Sequence, residues 1–239
     1  MAKSFPGFSP ELFRFLTDLS KNNNREWFNE NKPRYIEHIA EPMAEFIMAM
    51  GERLDKFADC FVADPRRNGG SMFRIYRDTR FAKDKRPYKE NVGCHFRHAA
   101  GKDAHAPGYY IHLEPKEVFF GVGVWMPPND VLFKIRTAIV EKEKQWDKIK
   151  KNKTLLKYFD GITGDGLTRP PRGFSAEHRF IEDLKRKSFF VLRSVDPELV
   201  LTPDFINDVN KSFKAATPFA EFITNSLGLP FHSQTTKKP

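Results

Sequence analysis

Between positions 66 and 89 the chain gathers Arg66, Arg67, Arg74, Arg77, Arg80, Lys83, Lys85, Arg86 and Lys89 against only Asp78 and Asp84. That segment carries +7 of a formal net charge of +9, which leaves the rest of the sequence nearly neutral at +2. Arginine offers a planar fork of donors matched to phosphate or carboxylate, and lysine offers a mobile point charge. Cations set this close repel one another unless something neutralises them. Two aspartates can do so in part, and a bound anion could do the rest. Arg74, Arg77, Arg80, Lys83, Lys85, Tyr88 and Lys89 are therefore candidates for holding an anion. Tyr76, Phe81, Tyr88 and Trp125 could stack a base beside a phosphate. The competing use of the same residues is internal: Arg77–Asp78 and Lys83–Asp84–Lys85 pairs that pin a long loop, with Phe81 and Tyr88 as its anchors.

A second constellation lies in a hairpin expected from Tyr109–Glu114 and Glu117–Trp125, joined at Pro115–Lys116. Pairing Glu114 with Glu117 sets Tyr110 opposite Gly121 and His112 opposite Phe119. Side chains alternate across a strand, so parity alone gives one apolar face of Ile111, Leu113, Val118, Phe120, Val122 and Val124. The other face carries Tyr110, His112, Glu114, Phe119, Gly121, Gly123 and Trp125. Glycine inside a strand leaves room for a ligand or another backbone. The expectation is a shallow pocket floored by Gly121 and Gly123, with Tyr110, His112 and Trp125 around it, unless the helix holding Trp27 packs there instead. His112 and Glu114 share that face and are candidate acid–base groups, with Arg74 and Arg77 as electrostatic clamps.

The elements that must position these residues follow from periodicity. Ser9–Pro10–Glu11 reads as a helix start, with Leu12, Phe15, Leu16 and Leu19 at helical spacing and a stop near Asn22–Asn24. A short element carries Trp27 and Phe28. A longer helix aligns Ile36, Ile39, Met43, Phe46, Ile47, Met50 and Leu54, and Pro42 inside it predicts a kink or break. From Ser71 the period shifts toward two, so Phe73 and Ile75 suggest a strand, and Val92–His98 a weaker one. Beyond the hairpin, Asn129 is expected to cap a helix, Lys142–Lys153 to be a solvated stretch, and Gly161–Gly173 to be a loop. Ser175 is expected to cap a short helix through Leu184, Ser188–Leu192 to be a buried strand, and Thr202–Pro203 and Thr217–Pro218 to open two last helices. The fold class is α+β: a mostly antiparallel central sheet of about five strands flanked by N-terminal and C-terminal helices. One domain is expected over 5–230, with 231–239 a frayed tail.

Three stretches carry a resemblance. Phe73–Lys89 contains the pattern RDTRF–x–KDK–x–PYK, which resembles the signature of the domain-of-unknown-function family 2461. Asn22–Phe28, read as NNNREWF, is similar to that family's opening motif, and Gly108–Pro115, read as GYYIHLEP, is similar to a third. The resemblance spans about 5–230 and implies a single full-length domain. It implies no mechanism.

Other chemistries find little support. Cys94, His95, His98, His105 and His112 are irregularly spaced, with no CxxC or HExxH pattern, so no metal is expected. Gly121–Val122–Gly123 lacks the third glycine of a dinucleotide fingerprint, and Gly161–Gly166 lacks the lysine of a P-loop; no cofactor is expected. No apolar run approaches membrane-spanning length, and mean hydropathy is −0.57. Two cysteines make no disulfide framework and the N-terminus has no apolar leader, which points to a reducing cytoplasm. The function expected is binding of a phosphate-bearing small molecule or nucleic acid through the basic motif. The alternatives are an enzyme acting on an anionic substrate through His112 and Glu114, or a structural or protein-interaction domain in which the motif is a salt-bridge network.

Overall fold

The computed structural model describes residues 4–101 and 105–233. Alternation builds the centre of the fold. The strands are β1 (Val92–Arg97), β2 (Gly108–Glu114), β3 (Glu117–Val124), β4 (Ile162–Thr163) and β5 (Phe189–Val195). They form one antiparallel sheet in the order β1-β2-β3-β5-β4. β2 and β3 pair with Glu114 opposite Glu117, Tyr110 opposite Gly121 and His112 opposite Phe119, the register that parity and the turn position predict.

Helices cover one face of this sheet. They are α1 (Glu11–Lys21), α2 (Arg25–Glu30), α3 (Lys32–Tyr35), a π-helical turn at Ile36–Ala40, and α4 (Glu41–Leu54) before the sheet. After β3 come α5 (Asn129–Glu141), α6 (Glu143–Lys150), α7 (Lys153–Tyr158), α8 (Ile181–Leu184), α9 (Pro197–Val200), α10 (Phe205–Ala215) and α11 (Thr217–Ser226). The α+β class is as expected. Ile111, Leu113, Val118, Phe120, Val122 and Val124 are all buried on the helix side. Rings fill that layer: Phe213 meets Tyr109 at 4.9 Å between centroids, and Phe205 meets both Phe46 at 5.4 Å and Phe120 at 5.8 Å. Tyr110, His112, Phe119 and Gly121 face the other way, as do Phe190 and Leu192 of β5 by their pairing with Gly123 and Gly121, whereas a Cβ on Gly123, at φ +135°, would meet the β5 backbone and Phe219.

Several local expectations change. The alternating segment from Ser71 is not one strand. Met72 bridges Cys94 beside β1, the chain then turns away, and Tyr76 bridges Tyr88. One period-two pattern thus serves two separate short pairings. Pro42 does not break its helix; the π-helical turn lies just before it and α4 continues. Proline has no N–H to return to the carbonyl four residues back, and a wider turn there accommodates the loss. Ser9 still accepts from the Glu11 N–H at 3.3 Å, but Pro10 occupies the cap position. Asn129 begins α5 without a side-chain cap bond, α10 starts at Phe205 rather than at Thr202–Pro203, and α8 is a single turn starting at Ile181. Lys142–Lys153 is largely helical and buries Trp146 and Ile149. The tail expected from 231 is docked over its first three residues: Phe231 is buried against Phe61, and Ser233 donates its N–H to Asp59. Its remainder, 234–239, lies outside the described residues. Among the described residues no helix is long and apolar enough to cross a membrane.

Trp146 of α6 is tied to α8 by a buried carboxylate. Asp183 is 2% exposed and accepts from Trp146 Nε1 at 3.0 Å, Lys150 Nζ at 2.7 Å and Arg186 Nε at 3.3 Å. Removing one member of such a buried network leaves desolvated donors without an acceptor. Asp183→Ala should lower the urea-unfolding free energy by about 3 kcal/mol; an unchanged midpoint would show that this carboxylate does not hold α6 to α8.

Candidate functional site

Two sequence motifs are joined by one side chain. Asn23 lies in the loop between α1 and α2. Its amide oxygen accepts from the Tyr88 N–H at 3.0 Å, and its amide nitrogen donates to the Tyr88 carbonyl at 3.1 Å and to Glu90 at 2.9 Å. A primary amide presents the same donor–acceptor pair as a peptide group, so Asn23 acts as a one-residue strand partner. Asn24 caps α2 by accepting from the Trp27 N–H at 3.0 Å. Phe28, one turn on, stacks on Tyr88 at 4.1 Å with 21° between the planes. From below, the basic loop is pinched by Arg77 N–H to Pro87 O at 2.9 Å and Lys89 N–H to Ile75 O at 2.8 Å.

Between α2 and this loop lies a cavity of about 310 Å³ lined by Arg25, Asn29, Tyr76, Arg77, Thr79, Pro87 and Tyr88. Arg25 and Asn29 are four residues apart and so share a helix face. The cavity wall therefore offers two guanidinium groups, an amide and a hydroxyl, beside a Tyr76 ring that is half exposed. Of the residues expected at the site, Arg77 and Tyr88 line it. Arg74, Arg80, Lys83, Lys85 and Lys89 do not.

The charges of the motif divide into two groups. Arg80 grips Asp78 with Nε at 3.0 Å and Nη2 at 2.7 Å. Asp84 takes Arg77 at 2.7 Å and Arg86 Nε at 2.9 Å, and Arg86 also reaches Glu90. Lys85 donates to the Thr79 carbonyl at 2.9 Å. The expected Arg77–Asp78 pair is thus replaced by Arg77–Asp84 and Arg80–Asp78. These arginines keep their acids ionised: the Arg80 hydrogen bonds lower Asp78 to about 2, and those of Arg86, then of Arg77, hold Asp84 well below the usual carboxylate range. The second group holds no acid by hydrogen bond or ion pair, although Arg74 lies near enough to Asp78 to help keep it ionised. Among the described residues Arg25, Arg74 and Lys83 make no hydrogen bond or ion pair, and Lys89 has only the Phe73 ring, 5.2 Å from its Nζ. Burial, and next Arg74, lower the Lys89 pKa. Phe81 is 95% exposed and anchors nothing, whereas Tyr88, 2% exposed, does anchor the loop.

The open sheet face holds a second cavity, about 430 Å³, with no lining residue in common with the first. Gly121 and Gly123 floor it, and Phe73, His95, Tyr110, Phe119 and Trp125 contribute walls. Trp27 packs on Phe15 at 5.6 Å instead of entering it. His112 stands beside the cavity. It stacks on Phe119 at 4.6 Å, with Nδ1 3.2 Å from the Tyr110 hydroxyl and 3.3 Å from Asn91, and Nε2 3.2 Å from Glu114. Both ring nitrogens therefore have partners within the chain. His112, Glu114 and Glu117 bring ligand atoms within 4.8 Å of one another, a grouping that keeps His112 but none of Cys94, His95, His98 and His105. Burial raises Tyr110 to about 12.

Reasoning from sequence missed Arg25, Asn29 and Asn23, although all three fall in or beside the NNNREWF stretch. Their role depends on a contact 65 residues distant, and nothing local announces it. The family model described as Conserved hypothetical protein (DUF2461) matches residues 11–222, and the chain belongs to that family. The match contains both joined motifs and both cavities. No curated protein matches the chain.

His95 supplies a measurable consequence of this geometry. Burial, reinforced by Arg97, lowers its pKa from 6.5 to about 4. The unfolded chain then binds a proton between those values that the folded chain does not, so this contribution is complete above pH 6.5 and is lost as pH falls toward 4. Between pH 7 and 4.5 the wild type should lose about 2 to 3 kcal/mol more unfolding free energy than His95→Gln. Parallel pH profiles for the two proteins would contradict a buried neutral imidazole.

Proposed function

We propose that this member of the family binds a phosphate-bearing ligand, nucleotide or nucleic acid, with the phosphate seated between Arg25 and Arg77. The observation that carries the reading is the cavity they share. Arg25 has no acid of its own, and Arg77 commits one guanidinium nitrogen to Asp84. Donors left over on two converging forks match the several acceptor oxygens of a phosphate. Asn29 and Thr79 add neutral donors, and Tyr76 offers a face on which a base can stack. Beyond the cavity, Arg74, Lys83 and Lys89 extend the positive field, and exposed Phe81 sits among the cations of the loop tip. Tyr110 and Trp125, expected at the same ligand, line the other cavity.

The salt-bridge network supports this reading more than the scaffold alternative. Arg80–Asp78 is exposed on both sides, at 77% and 48%, and links residues two apart. Exposed local pairs of this kind contribute little to stability. Asp84 holds one Arg77 nitrogen and leaves the rest of its guanidinium for the cavity it shares with Arg25. Catalysis draws less support, because His112 and Glu114 do not line the arginine cavity. The setting that suits two free thiols, Cys60 and Cys94, is the cytoplasm.

Two measurements separate the readings. In fluorescence anisotropy at low salt with a labelled single-stranded RNA, and in calorimetry with ADP, Arg25→Ala and Arg77→Ala should each weaken binding about tenfold, the loss of one charged hydrogen-bonding partner. RNA affinity should fall steeply with added salt, and each variant should reduce that slope by about one unit. Asp78→Ala should leave the unfolding midpoint in place. Absence of binding to both probes, together with a large drop in that midpoint, would assign the motif to the scaffold.

A further inference from the structure

The cavity on the open face of the sheet has the makings of a separate site. At Gly121 its floor lacks a side chain and is open. A Cβ at Gly121 would meet only the Val191 carbonyl at 3.8 Å and the Tyr110 Cβ at 3.9 Å, both ordinary contact distances. Position 121 therefore tolerates a side chain, and the space above it is free. Its walls are rings and aliphatic groups: Phe73, Tyr110, Phe119, Trp125 and Leu192. Trp125 is held at the mouth by His105, which stacks on it at 6.2 Å with 11° between planes and places Nδ1 2.9 Å from the Trp125 carbonyl.

Besides the Tyr110 hydroxyl, which meets His112, and the Trp125 indole N–H, one imidazole enters this lining. His95 is 6% exposed, lines the cavity, and its ring hydrogen-bonds to no described residue. It is set tightly in place: a Cβ on Gly108 would fall 2.1 Å from its Nε2, so the ring lies directly over that glycine. Its ring nitrogens are not sealed off from the cavity, so an occupant with a hydrogen-bonding group can supply the missing partner. Among the described residues no lysine, arginine or carboxylate lines the cavity, so the described lining does not favour a charged occupant. The volume, about 430 Å³, falls within the range of small-molecule sites and is too small for a helix or strand of a partner. Ring walls favour a flat aromatic ligand by offset and edge-on contact.

We infer that this cavity binds a small, uncharged aromatic molecule whose single hydroxyl or ring N–H pairs with His95. The inference is independent of the phosphate site, since the two cavities share no residue.

The probe is 2-naphthol, compared at pH 7.5 with naphthalene, which lacks the hydroxyl. Titration of the full chain followed by amide chemical shifts should saturate, with the largest changes at Tyr110, Gly121 and Trp125. Affinity for 2-naphthol should exceed that for naphthalene at least about tenfold, the worth of one hydrogen bond to a group otherwise left unpaired. His95→Leu should remove that difference. Gly121→Val fills the floor at ordinary contact distances and suits a strand, so it should stay folded while weakening both ligands at least about tenfold. Any of three results overturns the inference: no saturation for wild type, equal affinity for the two probes, or undiminished binding to folded Gly121→Val. A wild-type dimer that Gly121→Val turns into monomer would also overturn it, by assigning the face to a second copy of the chain.

Discussion

The arrangement of this protein turns on a side-chain amide that stands in for a peptide group. Asn23 offers one acceptor and one donor to the backbone of Tyr88, as a neighbouring strand would, and so fastens the start of α2 to the return limb of the basic loop. Beyond that link, α2 meets the loop through the Phe28 ring, which stacks on Tyr88 and meets Tyr76 edge-on. With these contacts, Arg25 and Arg77 face one cavity. Neither a lone basic loop nor a lone helix start makes that geometry, because two converging forks need a fixed distance between their backbones.

Magnitudes decide what the charges are for. The acids of the loop are each held by arginines through hydrogen bonds, Asp78 by Arg80 and Asp84 by Arg86 and Arg77. These contacts are short and local but wet, and wet pairs add little to folding free energy. The fold draws its stability from the ring-filled layer under the sheet and from dry polar sites such as Asp183. The loop network is therefore better understood as shape control. It neutralises some of the motif's charge and, among the described residues, leaves Arg25, Arg74, Lys83 and Lys89 with no hydrogen bond or ion pair to an acid.

How far the sequence could be read follows from how local each cause is. The hairpin register was legible because Pro115–Lys116 fixes the turn and one face must be apolar, so a slip of one residue would bury Glu114 and His112. Gly121 on the open face followed from the same parity; Gly123 did not, because its positive φ turns the side-chain position into the β5 backbone and Phe219. The segment at 71–76 was not legible as two short pairings: alternation reports that a chain is extended, not which neighbour it pairs with, and here it changes neighbour within a few residues. Phe81, which looked like an anchor by type, is the most exposed of the large apolar residues, and its neighbours in sequence gave no sign of that. Arg25 lies in a stretch that stood out only by resemblance, and its meaning comes from Asn23 reaching Tyr88. His95 was weighed as a metal ligand; its position over Gly108, facing a cavity, depends on the pairing of β1 with β2.

The most direct examination of the central claim watches the guanidinium groups themselves. In a titration of the folded chain with inorganic phosphate, followed by arginine Nε–Hε resonances, Arg25 and Arg77 should shift together along one saturable curve. Arg66 and Arg80, already held by Asp64 and Asp78, should scarcely move. Shifts that are small, unsaturable and alike for all four arginines would mean that the cavity recognises no anion.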